Sequence, residues 1–348
     1  MWLIPLRDLQ WRHRRFVLGA VATAVVLTLT LLLGGVGSAL RGEADRAVQA
    51  VGADAWLVRE GASGPFHTLA AMPDTVVDQV ARAPGVASAD PFVAASATTG
   101  GARTVDVTVI GYRPGGLGPP VPTAGRQPSR PNEALVDRST GYAVGDTVSL
   151  SGINFTVVGQ VEHMTMRGGV GNVYLNIRDA QSVLFKGNRF VTAVVVKGVP
   201  EVPAALGLRV LDTVDARSDA LRPVDRQLDA THALRLLLWA AAILVVGATV
   251  HLAAAERTQD LAVLKVLGAT TSTLAAGLAL QAVVISLVAA AAAVLTAPLF
   301  APALPLPTHF SMGSTIGLFA IAAVIGMLAG LAGLSRAARV EAIEALDA

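Results

Sequence analysis

Apolar and polar positions fall into two regimes along this chain. Residues 16–40 run for 25 positions without Asp, Glu, Lys or Arg, residues 236–255 for twenty, and residues 266–335 for seventy. A helix rises about 1.5 Å per residue, so about 20 apolar residues cross a hydrocarbon core of roughly 30 Å. The longest run must therefore hold two spans. Pro298, Pro302, Pro305 and Pro307 divide it, because each proline removes a helix donor. The pattern predicts transmembrane helices over 16–40, 236–255, 273–297 and 314–335, with a short loop at 298–313. A cleaved signal peptide is the competing reading of the first run: Arg12, Arg14 and Arg15 precede it, and Val36-Gly37-Ser38 has the small residues of a cleavage site. The run is long for such a segment and three more follow, so it is read as a span.

Residues 41–235 have a different texture. Val76, Val77 and Val80 share one helical face between Pro73 and the stop at Pro84-Gly85. Thr104-Val105-Asp106-Val107-Thr108-Val109 alternates strictly and predicts a half-buried strand. A hairpin is expected around Ser151-Gly152, with strands over 148–150 and 153–158. Further strands are predicted at 173–177, 191–196 and 208–211, and Asp179-Ala180-Gln181 opens a helix. Residues 160–190 read as an inserted subdomain, 118–131 as a Pro- and Gly-rich surface loop, and the end of 212–233 as a stalk helix. The fold class is an α-helical membrane domain of four spans carrying a mixed α/β extracytoplasmic domain.

Charge follows the same division. The chain is 53% hydrophobic and only 15% charged, against about 25% in soluble domains. Residues 41–235 hold 19 basic and 19 acidic side chains, so this domain has no footprint for nucleic acid. The absence of cysteine excludes disulfides, thiolate metal sites and Cys nucleophiles. Arg7, Arg12, Arg14, Arg15, Arg336 and Arg339 flank the outermost spans, and the 298–313 loop has no Lys or Arg. The positive-inside rule then places segments 1–15 and 336–348 in the cytoplasm, 41–235 outside, and 256–272 back inside.

That returning segment is the most informative stretch. Arg257, Leu261, Leu264, Lys265 and Gly268 lie on one helical face, widened by Val263, Val266 and Leu267. Glu256 and Asp260, at i and i+4, repel each other unless a cation answers them. The order Glu-Arg, second acid, apolar stripe, Lys265 and Leu267-Gly268-Ala269 resembles the cytoplasmic coupling helix of the MacB/FtsX-type (type VII) ABC transporter permeases. Ala83-Pro84-Gly85-Val86, Val109-Ile110-Gly111 and Gly145-Asp146-Thr147-Val148 leading to Phe155-Thr156-Val157-Val158-Gly159 resemble the external MacB-like core domain. The last residues, 335–346, resemble the family's terminus without its usual proline, and 2–11 resemble its interfacial start.

The resemblance implies a permease subunit that transmits ATP-driven motion to its extracytoplasmic domain, for export or extraction. Glu256, Arg257, Asp260, Leu261, Leu264, Lys265, Leu267, Gly268 and Ala269 would meet an ABC-type ATPase subunit. No cofactor is expected in this chain; ATP and Mg belong to the partner. Other expected partners are a second permease copy or homologue, the lipid bilayer of a bacterial inner membrane, and an extracytoplasmic protein. A transmembrane regulator of a cell-wall hydrolase is the alternative; a membrane-anchored enzyme is a third reading. The chain has no phosphate loop, since Gly168-Gly169-Val170-Gly171 lacks a following Lys, and no Gly-x-Ser-x-Gly or His-Glu-x-x-His motif. It is not expected to be an enzyme. Thr249, His251 and Gln281 are polar groups within or beside the spans and invite a proton-relay or transport reading; His251, five residues from the expected cytoplasmic edge, is read instead as a hydrogen-bonded packing group.

Overall fold

A computed structural model of the chain describes residues 13–67, 69–100, 104–201, 203–256, 263, 266–268, 270–303 and 310–339, with backbone alone at 13–15 and 331–339. It divides into two compact units, Met1–Ser38 with Gln227–Ala348, and Ala39–Arg226. The first helix, α1, is His13–Val51.

In the second unit β1 (Ala55–Arg59), β2 (Met72–Pro73), α2 (Thr75–Val80), β3 (Val86–Gly100) and β4 (Asp106–Tyr112) come first. Then come β5 (Ala124–Gly125), β6 (Glu133–Asp137), β7 (Thr147–Leu150), β8 (Ile153–Val161), β9 (Thr165–Met166), β10 (Val170–Asn176) and α3 (Ile177–Phe185). The unit ends with β11 (Phe190–Val191), β12 (Ala193–Gly198), β13 (Leu208–Leu211) and α4 (Thr213–Leu221). The main sheet runs β13-β1-β12-β3-β4-β10-β6-β8-β5. It is mixed, with β4–β10 and β6–β8 parallel. Because β7 bonds both β8 and the far end of β3, the pairing β3-β4-β10-β6-β8-β7 closes on itself. Closure leaves no open edge around that ring, which protects it from intermolecular pairing.

Three apolar layers fill this unit. One joins Val107, Val109, Val136, Val148, Phe155, Val173 and Leu175, with Ala180 and Val183 of α3. A second sets Trp56, Phe92, Tyr112 and Tyr174 against Ala44, Ala47, Val48 and Val51 of α1 and Ala216 of α4. Trp56, Phe66 and Phe92 pack tilted or edge to face, with centroids 5.1 to 5.7 Å apart, a favoured aromatic geometry. The third sets Leu57, Val194 and Val196 against Val77 and Val80 of α2. Strands buried on both faces read as continuous apolar runs rather than alternating ones.

That burial corrects two expectations. β4 is not half-buried: every residue from Val107 to Tyr112 is inside, because α3 and its layer cover one face and the α1-facing layer the other. Residues 160–190 are not an inserted subdomain, since β10 sits between β4 and β6 in the middle of the sheet. The hairpin at Ser151-Gly152 forms with both residues at positive φ, 50° and 80°, the two-residue turn whose twist suits paired strands. Asp146 accepts from the Ala143 amide at 2.8 Å, beside Gly145 at φ 98°. The 118–131 loop is tied down by Glu133, which accepts from both arms of Arg126 and from the amides of Ser129 and Arg130.

Among the described residues, four helical segments are long and apolar enough to cross a membrane: Phe16–Val51, Thr213–Ala255, Thr271–Ala303 and Met312–Gly330. They coincide largely with α1, α5 (Asp225–Ala255), α6 (Thr271–Phe300) and α7 (Met312–Arg339). Their shared core is a set of small and branched residues at helical spacing, among them Ala242, Val246, Val250 and Ala254 of α5 and Leu318, Ala322, Ile325 and Ala329 of α7. Pro298 lies inside α6 instead of ending it, near enough to the C-terminus that only two residues follow. Gly326 and Gly330 supply the closest approach. A β-carbon added at Gly326 would stand 2.5 Å from the Val283 Cα, and one at Gly330 2.6 Å from the Ala279 Cα. Such small-xxx-small spacing lets helix backbones meet in lipid, where burial between helices has no hydrophobic driving force.

Two expected outcomes follow from this packing. Arg126 and the two amides hold Glu133 at about 2, below its usual 4.5. A depressed carboxylate stabilises the fold above its unfolded pKa, and that contribution is lost as pH falls from about 4.5 toward 2. In Glu133→Gln the acid limb of a thermal-denaturation profile flattens over that window and stability at neutral pH falls. Gly326→Leu forces α6 and α7 apart and destabilises the membrane unit by about 1–3 kcal/mol, read as a lower detergent-solubilised melting temperature; Gly317→Leu, with open space at its β-carbon, leaves it nearly unchanged.

Candidate partner-docking segment

The segment between α5 and α6 is short and bounded by chemistry the sequence spells out. Glu256 continues the helical ladder, its amide donating to the Leu252 carbonyl at 3.2 Å. Another helical bond joins the Leu267 amide to the Val263 carbonyl at 3.0 Å. Gly268 then takes φ 92° with nothing within 4 Å of a β-carbon position, so glycine is used there for backbone conformation and not for close packing. Thr270 starts α6: its hydroxyl accepts from the Thr273 amide. Val263, Val266 and Leu267 are 57%, 65% and 74% exposed. Three large apolar side chains are thus exposed between Glu256 and Gly268.

Of the nine predicted site residues, Glu256, Leu267 and Gly268 lie in the described structure, and all three are exposed. Arg257, Asp260, Leu261, Leu264, Lys265 and Ala269 lie outside the described residues. Within α5, the Thr249 hydroxyl donates to the Val245 carbonyl at 2.8 Å and crowds Gly19 of α1, where a β-carbon would be 2.6 Å away. His251 is half-buried, and Gln281 is buried in α6. Among the described residues no group of three His, Cys, Asp or Glu could hold a metal ion.

A second arrangement, in the α/β unit, was not anticipated. Glu43, on the last turns of α1, is only 3% exposed. It accepts from the Thr165 hydroxyl at 2.6 Å and from the amides of Gly168 and Gly169 at 3.1 and 3.3 Å. Arg46, one turn on, donates to the His163 carbonyl at 2.9 Å. From the other side Arg217 of α4 pairs with Asp45 at 2.6 Å. Asp219 of the same helix, buried, gathers the Ser63 hydroxyl and the amides of Phe66 and His67. Arg167 bridges to the Phe66 carbonyl; burial lowers its pKa, and the charge of Asp219 opposes that. Residues 43–46 of α1 are thus held by the β8–β10 connection and by α4 together. Glu43 sits in register with Leu40 and Ala47, both buried. That spacing is the one signal in the sequence, since glutamate ordinarily faces water.

Residues 17–206 match the MacB-like periplasmic core domain family, and residues 233–342 match the FtsX-like permease C-terminal family. An uncharacterized ABC transporter permease of Mycobacterium tuberculosis (strain ATCC 25618 / H37Rv) is 38% identical over 330 residues, 94% of this chain and 93% of that one. The chain belongs to the MacB/FtsX-type ABC transporter permeases. A second permease from the same strain is 36% identical over 328 residues, again 94% of this chain and 93% of the relative. Among solved structures, the periplasmic region of MacB from Actinobacillus actinomycetemcomitans aligns over 49% of this permease and 94% of that chain, at 12% identity and a TM-score of 0.35. The extracellular domain of the noncanonic ABC-type transporter YknZ from Gram-positive bacteria aligns over 51% and 94%, at 14% and 0.32. The assignment rests on the sequence relatives. Membership in this family implies an ATPase partner.

Glu43→Ala removes the acceptor from three buried donors and is expected to lower the stability of the permease's α/β unit by about 2–4 kcal/mol. Hydrogen exchange at the Gly168 and Gly169 amides rises at least tenfold by the same arithmetic, while exchange in β12 changes less.

Proposed function

We propose that this permease couples ATP binding and hydrolysis by a separate ATPase to movement of its periplasmic domain. Residues 256–269 form the docking helix. Two permease chains, or this one and a homologue, pair in a bacterial inner membrane with both termini in the cytoplasm. Two ATPase subunits bind them, holding all of the ATP and Mg. Closure of the ATPases moves the docking helices, the membrane helices follow, and the periplasmic domains do work on a substrate or on an extracytoplasmic protein. The chain itself hydrolyses nothing.

The observation that carries this reading is the exposed apolar turn at Val263, Val266 and Leu267, placed between two helices apolar enough to span a membrane. An apolar face left to water there has no purpose in the chain alone. Rigid transmission is supported at the other end of α1, where residues 43–46 are gripped by hydrogen bonds and an ion pair from two sides. A helix so bonded carries displacement into the sheet through β10, its central strand.

The test is co-purification from native cells in mild detergent. A Walker-type ATPase is expected with the wild-type permease, and ATPase activity only in that complex. Leu264→Asp places an unpaired charge in the contact, which costs several kcal/mol when desolvated, so the ATPase is lost while the permease still inserts in the membrane. Retention of the ATPase by Leu264→Asp would remove 256–269 from the interface.

A further inference from the structure

A cleft of about 600 Å³ opens in the α/β unit between α2 and α3. That lies within the roughly 300–1,000 Å³ of pockets that enclose small ligands. Its floor is apolar, formed by Val77 and Ile177, both buried in one layer. Its lining carries five charged side chains: Asp74, Asp78, Arg113, Arg178 and Arg189. Two of the arginines are already answered. Arg189 donates from Nε to Asp74 at 2.9 Å, and the Asp74 amide donates to the Arg189 carbonyl at the same distance. Asp74 stands at the N-cap of α2 and makes no capping bond; its carboxylate is committed to the arginine instead. Arg113 meets one oxygen of Asp90 at 3.2 Å, and the other oxygen accepts from the Leu117 amide at 3.0 Å.

Arg178 and Asp78 are left over. Both are exposed, and neither side chain has an ion pair or hydrogen bond with the other or with any further described residue. A solvated charge is ordinary at a surface, but the place of Arg178 is not. Asn176 caps α3 by accepting from the Arg178 amide at 3.1 Å, which puts this arginine in the first turn. The helix dipole disfavours a cation there. Asp179 beside it is buried and spent on the Asn132 amide at 3.0 Å. An anion bound in the cleft answers Arg178, and a cation answers Asp78 on α2. One small molecule that holds both charges satisfies the two at once, and a peptide with free ends is such a molecule. Its carboxylate suits the planar fork of the guanidinium, its ammonium suits the aspartate, and its apolar part rests on Val77 and Ile177.

We propose that the cleft between α2 and α3 binds a short peptide with both termini free, its carboxylate on Arg178 and its ammonium on Asp78. The site lies wholly in the α/β unit and does not depend on what residues 256–269 contact. The experiment uses the full chain in nonionic detergent and isothermal titration calorimetry, with tri-alanine as the probe beside its N-acetylated and C-amidated forms. Wild type is expected to bind tri-alanine, and Arg178→Gln or Asp78→Asn to weaken it by about tenfold. Amidation is expected to cost wild type a similar factor and Arg178→Gln little. Acetylation is expected to do the same to wild type and little to Asp78→Asn. The blocked peptides thus test both charges on the unaltered chain. Arg82→Gln, at an exposed arginine outside the cleft, keeps the binding. Binding that needs Arg178 but ignores acetylation and Asp78 would overturn the peptide and leave a simple anion in its place. No binding by wild type at millimolar tri-alanine, or equal binding by wild type and both cleft variants, would overturn the site.

Discussion

The burial of Glu43 is the constraint on which the α/β unit is built. A carboxylate taken out of water costs several kcal/mol unless hydrogen bonds replace its hydration. The replacement comes from the Thr165 hydroxyl and two glycine amides. Those amides converge only because Arg167, Gly168 and Gly169 all take positive φ, 58°, 84° and 97°. That turn reverses the chain between β9 and β10, and β10 then pairs with β4 on one side and β6 on the other. The placing of α1 and the assembly of the sheet are therefore one event. Removing the carboxylate leaves the turn to the β9–β10 pairing and the Arg167 bond to the Phe66 carbonyl.

In the membrane unit the same need for satisfied polar groups meets a different solvent. Lipid offers no hydrogen bonds, so hydroxyls bond backward to their own helix: Thr23 to the Gly19 carbonyl and Thr28 to that of Ala24, both at 2.7 Å. Thr28 of α1 and Thr296 of α6 also meet between helices, at 2.9 Å. Cohesion is left to close packing, which glycine allows at 19, 326 and 330. Large apolar side chains point outward instead, as at Leu18, Leu237 and Leu244. In this solvent an outward leucine is at home.

What could be read from the sequence follows from which signals are local. Runs without charge are local, so the apolar helices were legible, and so was the Ser151-Gly152 hairpin. Strict alternation at 104–109 was read as one wet face, and it failed because Thr108 is buried by tertiary layers that no window of sequence contains. The 160–190 segment was misplaced because β10 joins strands, β4 and β6, distant in the chain. Glu43 was missed because its partners lie more than 120 residues away. The expectation of a docking segment rests on a pattern of charge and apolar stripe; which side chains face out is a three-dimensional fact, described at Val263, Val266 and Leu267.

Hydrophobic contact alone fixes neither the direction nor the register of a helix, and two different devices supply them here. At residues 43–46 of α1 hydrogen bonds and an ion pair arrive from the β8–β10 connection and from α4, so the helix cannot turn about its axis without breaking them. Between α6 and α7 the register is set by shape instead: Gly326 and Gly330 meet the backbone at Val283 and Ala279, where any larger side chain would hold the helices apart.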